Sequence, residues 1–439
     1  MGNLNPLERD GNRRCLLGMW IPMRLTAVAS MLVLASCGAE VATTSRDSTP
    51  AIAPATTDTT STIAGIADAE AAFPARLALT TTDGHVVTFS PHDDPVVTPG
   101  VMAPTGKVVV SADSHAGRTM VEWHHVRNDE ISAEIQLDGD LHPTAVAQDG
   151  KLVALVGSSG TTTTVVLATP SKGEVRRWQF DSVLVPEAFS NAFQEGGDGL
   201  PIGVFVIEYL AEHTYRVRVI DTTSGELGLP LNLRDKSQTV DEVMTAVSRT
   251  AVFEPNNQLL FTLYQDATED GENVGSFIHT LGLFNGVWCL DVPRTLGLAD
   301  HPGALAVTPN GSRLFAASST GGVAGFAVSD ITTSGPDMPE ARQTAALGTS
   351  AARVAIGASD NEVVVALGGS LYRLDPATLT VRDSFTWDMD VEALTALDDG
   401  SIVMVGTGRM TMVSPDDRIM AERVLPNGMN DVSRVAAVG

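Results

Sequence analysis

Seven tight-turn signals recur along the chain, each followed by a short apolar run rich in β-branched residues. The turns are Pro104-Thr105-Gly106, Gln148-Asp149-Gly150, Gly197-Asp198-Gly199, Pro255-Asn256-Asn257, Pro309-Asn310-Gly311, Ser359-Asp360-Asn361 and Asp398-Asp399-Gly400. Asn, Asp and Gly tolerate the positive φ that such hairpins need. The runs behind them include Lys107-Val108-Val109-Val110, Leu152-Val153-Ala154-Leu155-Val156, Val363-Val364-Val365-Ala366 and Ile402-Val403-Met404-Val405. Successive turns stand about 39 to 58 residues apart. That interval holds four short strands, so the chain from about Phe73 onward reads as all-β and built from repeated four-stranded units.

The units parse alike. One runs through Pro143 to Ala147, Lys151 to Gly157, Thr163 to Thr169 and Glu174 to Phe180. The unit after Asp300 repeats it with Pro302 to Val307, Ser312 to Ala317 and Gly322 to Val328. The first strand of each is small and apolar, as the crowded centre of a β-propeller requires. Trp178, Trp288 and Trp387 fall on outer fourth strands, where a blade is widest. At the chain ends, Val432 to Gly439 reads as a lone inner strand, and Arg76 to Thr81 with His85 to Phe89 reads as a blade lacking one. Joined, they close the ring and remove its open edges. Eight blades are expected. Seven is the alternative, because the unit from Val185 to Leu233 is irregular, and a pair of β-sandwiches is the rival architecture. The rhythm over residues 76–439 resembles the YVTN-type and quinoprotein-type propellers of bacterial exported proteins, with WD40-like repeat length.

The N-terminal segment bears on location. Arg13, Arg14 and Arg24 precede an apolar run from Leu25 to Leu34, and Leu34-Ala35-Ser36-Cys37 closes it. Positive flank, short apolar stretch and small-residue processing site are the order of an export signal. The apolar run is too short to span a bilayer, which takes about 20 residues. A Cys directly after the small residues resembles the lipobox of bacterial lipoproteins. The resemblance implies that residues 1–36 are removed and that Cys37 is acylated, with palmitate-type chains, on the extracytoplasmic side of the cell membrane. Met19 and Met23 are alternative starts that leave a compact signal. Residues 37–72 are dominated by Thr, Ser and Pro and have few large apolar groups to offset the entropy of ordering, so they read as a disordered tether. The folded domain is expected over residues 73–439.

Composition limits the partners. The chain has 28 Lys and Arg against 53 Asp and Glu, a net charge of −25. Its only lysines are Lys107, Lys151, Lys172 and Lys236. No basic stripe is present, which argues against nucleic acid and against electrostatic docking on anionic lipid. Of three cysteines, Cys15 lies in the segment to be lost and Cys37 would carry lipid. Cys289 is then alone, so the mature domain has no disulfide, and a Cys between apolar neighbours reads as a small buried hydrophobe.

In propellers the loops joining strands two to three share a face with the connections between blades, and that face commonly binds ligands. There this parse places His115, then Asp138, Asp140 and His142, then Asp300 and His301. His142-Pro143 and His301-Pro302 occupy equivalent repeat positions. Imidazole with carboxylate suits Zn²⁺ or another divalent ion, while plain repeat geometry and solvated acidic loops account for the same residues. Asp266 to Gly271 resembles the start of a calcium loop, but Phe277 stands where a bidentate Glu is needed. Asp221-Thr222-Thr223-Ser224-Gly225-Glu226 resembles the quinoprotein docking motif, with Leu229 in place of its Trp, and it is also an ordinary turn. His124 and His125 alternate across a strand and cannot chelate together. No nucleophile-and-base motif, phosphate loop or zincin helix is present. The expectation is a monomeric, membrane-tethered binding or scaffold module for an envelope protein or small ligand. A divalent-metal carrier and a lactonase-like hydrolase are the alternatives.

Overall fold

The unbroken apolar runs become second strands buried on both faces. In Val153–Ser159, Val153 and Leu155 pack on one side and Ala154 and Val156 on the other. In Val363–Leu367 the same alternation sends Val363, Val365 and Leu367 one way and Val364 and Ala366 the other. Side chains alternate across a strand, so a strand flanked by neighbours on both faces must be apolar throughout. Outer strands are instead largely solvent-facing, as in Val381–Thr386.

Repeating this arrangement produces a ring. The computed structural model describes Phe73 and residues 77–437, apart from 82–83, 90–95, 128–129, 191–199, 212, 255, 257, 267–275, 285, 299–300, 334–339 and 427–431. The fold is an eight-bladed propeller of four-stranded antiparallel blades. Blade 1 combines both ends of the domain, and blades 2 to 8 span residues 101–138, 142–180, 183–228, 243–292, 303–346, 354–386 and 393–424. Eight apolar clusters fill the seams between neighbours all the way round. Each fully buried Leu, Val or Phe in them contributes about 1.5–3 kcal/mol.

Closure follows the expected pairing. Leu77–Thr81 lies antiparallel to Val432–Ala437, with Leu77 opposite Ala437 and Leu79 opposite Val435. Val432 and Val435 complete the seam with blade 8 beside Val403, Val405 and Met410.

The irregular unit is blade 4. After Val183–Phe189, Gly203–Tyr209 and Thr214–Asp221, its outer strand is the short Leu227–Gly228. The start of Val243–Glu254 also pairs with Thr214 to Arg216, then shifts register between Ala246 and Arg249 to become the inner strand of blade 5. One long strand serving two blades breaks the rhythm without changing their number.

The turns are built as their residues dictate. Gly106, Gly150, Gly311 and Gly400 have φ of 72°, 75°, 68° and 82°. Each donates its N–H to the carbonyl three residues earlier, at 2.8 to 3.0 Å. The preceding side chain locks three of these turns: Asp149, Asn310 and Asp399 each accept the N–H two residues on, at 3.0, 2.8 and 2.9 Å. The turn at Gly197 to Gly199 lies outside the described residues.

Two expectations shift in detail. Trp178 and Trp288 stand on outer strands, whereas Trp387 lies just past Val381–Thr386 and donates its backbone N–H to the Gly369 carbonyl at 2.6 Å. Cys289 is only partly buried, because it sits on the outer strand of blade 5, with its thiol 3.5 Å from Glu242 Oε2.

Candidate binding site

Ring topology gives the propeller two faces. The upper face carries the loops joining strands two to three and the connections between blades. The lower carries the turns joining strands one to two and three to four.

His115, Asp138, Asp140 and His142 gather on the upper face at the seam of blades 2 and 3. His115 ends the second strand of blade 2, and Arg118 pairs with Asp138 across the third and fourth. The Gly117 N–H donates to Asp140 Oδ1 at 3.2 Å, and the Asp138 carbonyl accepts from Arg177 at 2.9 Å. His142 opens the inner strand of blade 3, where partial burial holds its imidazole below the usual histidine pKa. His301 is exposed ahead of the inner strand of blade 6, three blades further round. Asp300 lies outside the described residues, as do Cys37, the rest of residues 1–72 and most of the segment from Asp266 to Phe277. Among the described residues, no three His, Cys, Asp or Glu side chains are grouped so as to hold a metal ion.

Several motif residues have local partners. Asp221 Oδ1 accepts the N–H groups of Thr223 and Ser224 at 2.9 and 2.8 Å, and these bonds hold its carboxyl below the usual range. Gly225, at φ 75°, is needed because a Cβ there would strike the indole of Trp178 from blade 3. His124 Nε2 lies 3.0 Å from Ser111 Oγ and 3.1 Å from Glu122 Oε2, so its ring has partners within blade 2.

A cleft of about 1240 Å³ opens on the lower face across blades 2, 3 and 4. The turns that form it are tied together. Thr105 donates to the Gln148 carbonyl at 3.1 Å, joining blades 2 and 3, and Arg176 Nε donates to the Thr222 carbonyl at 3.0 Å, joining blades 3 and 4. Gly150 permits the closest approach, since a Cβ on it would meet Val108 Cγ2 at 2.7 Å. The floor is apolar, with Trp123, Leu152 and Phe189, and the rim carries Lys151, Lys172 and Arg176. Lys151 also pairs with Asp149 at 3.6 Å. Glu174, on the same rim, is engaged by Arg177 at 2.6 Å.

Sequence reasoning looked to the opposite face. The available signal was lysine scarcity: three of the four lysines, Lys107, Lys151 and Lys172, lie in or beside lower-face turns of blades 2 and 3.

Neither a protein-family model nor a curated protein matches the chain. Among solved structures, it is similar to Saccharomyces cerevisiae Sqt1, with 14% identity over 80% of this chain and 89% of that one at a TM-score of 0.44. It is similar to BamB from Moraxella catarrhalis, with 14% identity over 74% and 85% at a TM-score of 0.42. It is also similar to the dihydro-heme d1 dehydrogenase NirN, with 13% identity over 83% and 75% at a TM-score of 0.44.

Proposed function

We propose that the chain is an extracytoplasmic lipoprotein whose propeller is a binding module, tethered to the cell membrane through lipid on Cys37. Its partner is a protein or small ligand of the cell envelope, taken on the lower face of blades 2 to 4. The cleft carries this reading. It combines an apolar floor with a rim on which Lys151, Lys172 and Arg176 outnumber Asp149 and Glu174, in a chain of net charge −25, and a concave, mostly apolar site with a few placed polar groups is what recognition requires. The Leu34-Ala35-Ser36-Cys37 sequence supports the anchor.

Two measurements test the two halves separately. Metabolic labelling with a palmitate analogue is expected to tag the wild-type chain and not Cys37→Ala; equal labelling of both removes the lipid from the proposal. A photo-cross-linking residue at Ser171, on the cleft, is expected to capture a discrete envelope product that the same residue at Glu422, on the outer strand of blade 8, does not. Identical products from the two positions would refute the cleft as the binding surface.

A further inference from the structure

The lower face of blades 2 and 3 gathers cations in a chain that has few. Lys107 and Arg127 stand in the two lower-face turns of blade 2, and Lys151 and Lys172 in those of blade 3; all four are exposed. The two turns of blade 2 are joined, since the Val126 N–H donates to the Lys107 carbonyl at 3.0 Å. Arg176 adds a further cation where blade 3 meets blade 4. The remaining lysine, Lys236, lies in the connection from blade 4 to blade 5.

Acids share this face, and most are engaged locally. Asp149 Oδ1 accepts the backbone N–H of Lys151 at 3.0 Å inside its own turn. Glu174 accepts from Nε and Nη2 of Arg177 at 3.1 and 2.6 Å. Glu130 opens the outer strand of blade 2 opposite His125, which lines the cleft. In the next turn round the ring, Asp221 is held by the N–H groups of Thr223 and Ser224. Asp129, Glu195 and Asp198 fall outside the described residues. Among the described residues of blades 2 and 3, this face is positive where the whole chain carries −25.

The spacing of the cations decides what they fit. They come from four separate turns and from Gly173–Phe180, so they border the cleft at intervals rather than converge on one point. A lone phosphate or carboxylate calls for converging donors. A flat anionic membrane surface does not enter a concavity floored by Trp123, Leu152 and Phe189. An extended polypeptide meets both conditions. At about 3.3 Å per residue, with side chains alternating, it presents carboxylates at intervals on one side and apolar groups on the other.

We propose that the cleft takes an extended segment of a partner protein in which acidic and apolar residues alternate. Its carboxylates lie on the cationic rim and its apolar side chains on the floor. This rests on the cleft being the binding surface and adds the chemistry of what it binds.

The test is fluorescence anisotropy of the full chain with three short labelled peptides of equal length, alternating Glu-Leu, Lys-Leu and Glu-Ser, beside co-sedimentation with phosphatidylglycerol vesicles. The Glu-Leu peptide is expected to bind saturably, about tenfold or more tighter than the other two, and to weaken as salt screens the charges. Lys151→Glu/Lys172→Glu is expected to lose about tenfold or more, while Lys236→Glu, a reversal away from the cleft, stays within about twofold. The proposal is overturned if Lys-Leu or Glu-Ser binds as tightly, or if the double variant keeps its affinity. It is also overturned if the vesicles bind and the Glu-Leu peptide does not, which would assign the cations to a lipid surface. An absence of peptide binding, with a discrete product still captured from Ser171, overturns the acidic-segment chemistry and leaves the cleft standing. Glu-Leu binding that is lost in the double variant, with identical products from Ser171 and Glu422, supports the chemistry and removes the envelope partner.

Discussion

Replacing Arg373 with Met should expose how blades 7 and 8 are held on their lower side. Arg373 is 4% exposed. Its guanidinium donates to Glu362 Oε2 at 2.5 Å and to the Gly400 carbonyl at 3.2 Å. It also donates to Asp417 Oδ1 at 3.0 Å and the Ser414 carbonyl at 3.1 Å, and it lies 5.8 Å from the Phe385 ring centre. Arg373→Met leaves two carboxylates and two carbonyls without this donor. Breaking a buried pair from one side costs about 3–5 kcal/mol, and that loss is expected in urea unfolding at pH 7. Burial outweighs the arginine's attraction at Glu362 and at Asp417, so both carboxyls sit above their usual pKa. A folded pKa above the unfolded one means the native state binds the proton more tightly. Stability from these groups therefore falls as pH rises from the ordinary Glu and Asp values through the raised folded ones. Without Arg373 both carboxyls rise further, so the deficit of the variant should shrink as pH falls from 7 toward 5. The double variant Arg373→Met/Glu362→Leu should recover much of the loss. A deficit below about 1 kcal/mol, or one that grows on acidification, would refute this reasoning.

Other expected outcomes are simpler. Thr411 is fully buried with no partner for Oγ1 among the described residues, so Thr411→Val should raise stability by about 1 kcal/mol in denaturant unfolding. A Cβ at Gly406 would collide with the Asp390 carbonyl where the connection into blade 8 passes it, so Gly406→Ala should cost about 1–3 kcal/mol in the same assay. Titrating the full chain with zinc should give no stoichiometric uptake; uptake that disappears in His142→Ala and His301→Ala would instead establish the metal site.

The blades were legible because their determinants are local. A turn such as Asp149-Gly150 and a run such as Leu152 to Val156 specify a hairpin buried on both faces, whatever the rest of the chain does. Blade 4 was less so, because the dual role of Val243–Glu254 depends on a register shift that no residue type announces. The cleft was hidden for another reason. Its cations lie in separate turns, Lys151 in one and Lys172 in the next, and only the packing of blade 3 between its neighbours turns them into a rim.

The joint blade also sets an order of events. Its inner strand comes from residues 432–437 and its next from residues 77–81, so the two halves are separated by almost the whole domain. During synthesis or vectorial passage through a membrane, blades 2 to 8 can assemble from contiguous sequence as they emerge, but the ring cannot shut until its last strand arrives. Until then Leu77–Thr81 has an unpaired edge and the seam with blade 8 lacks Val432 and Val435. Joining ends so far apart carries the loop-entropy cost of a long-range contact. Closure should therefore be the slow, late step of maturation, and a chain stalled before Val432 should be an open, edge-bearing intermediate exposed to proteases and to pairing with other chains.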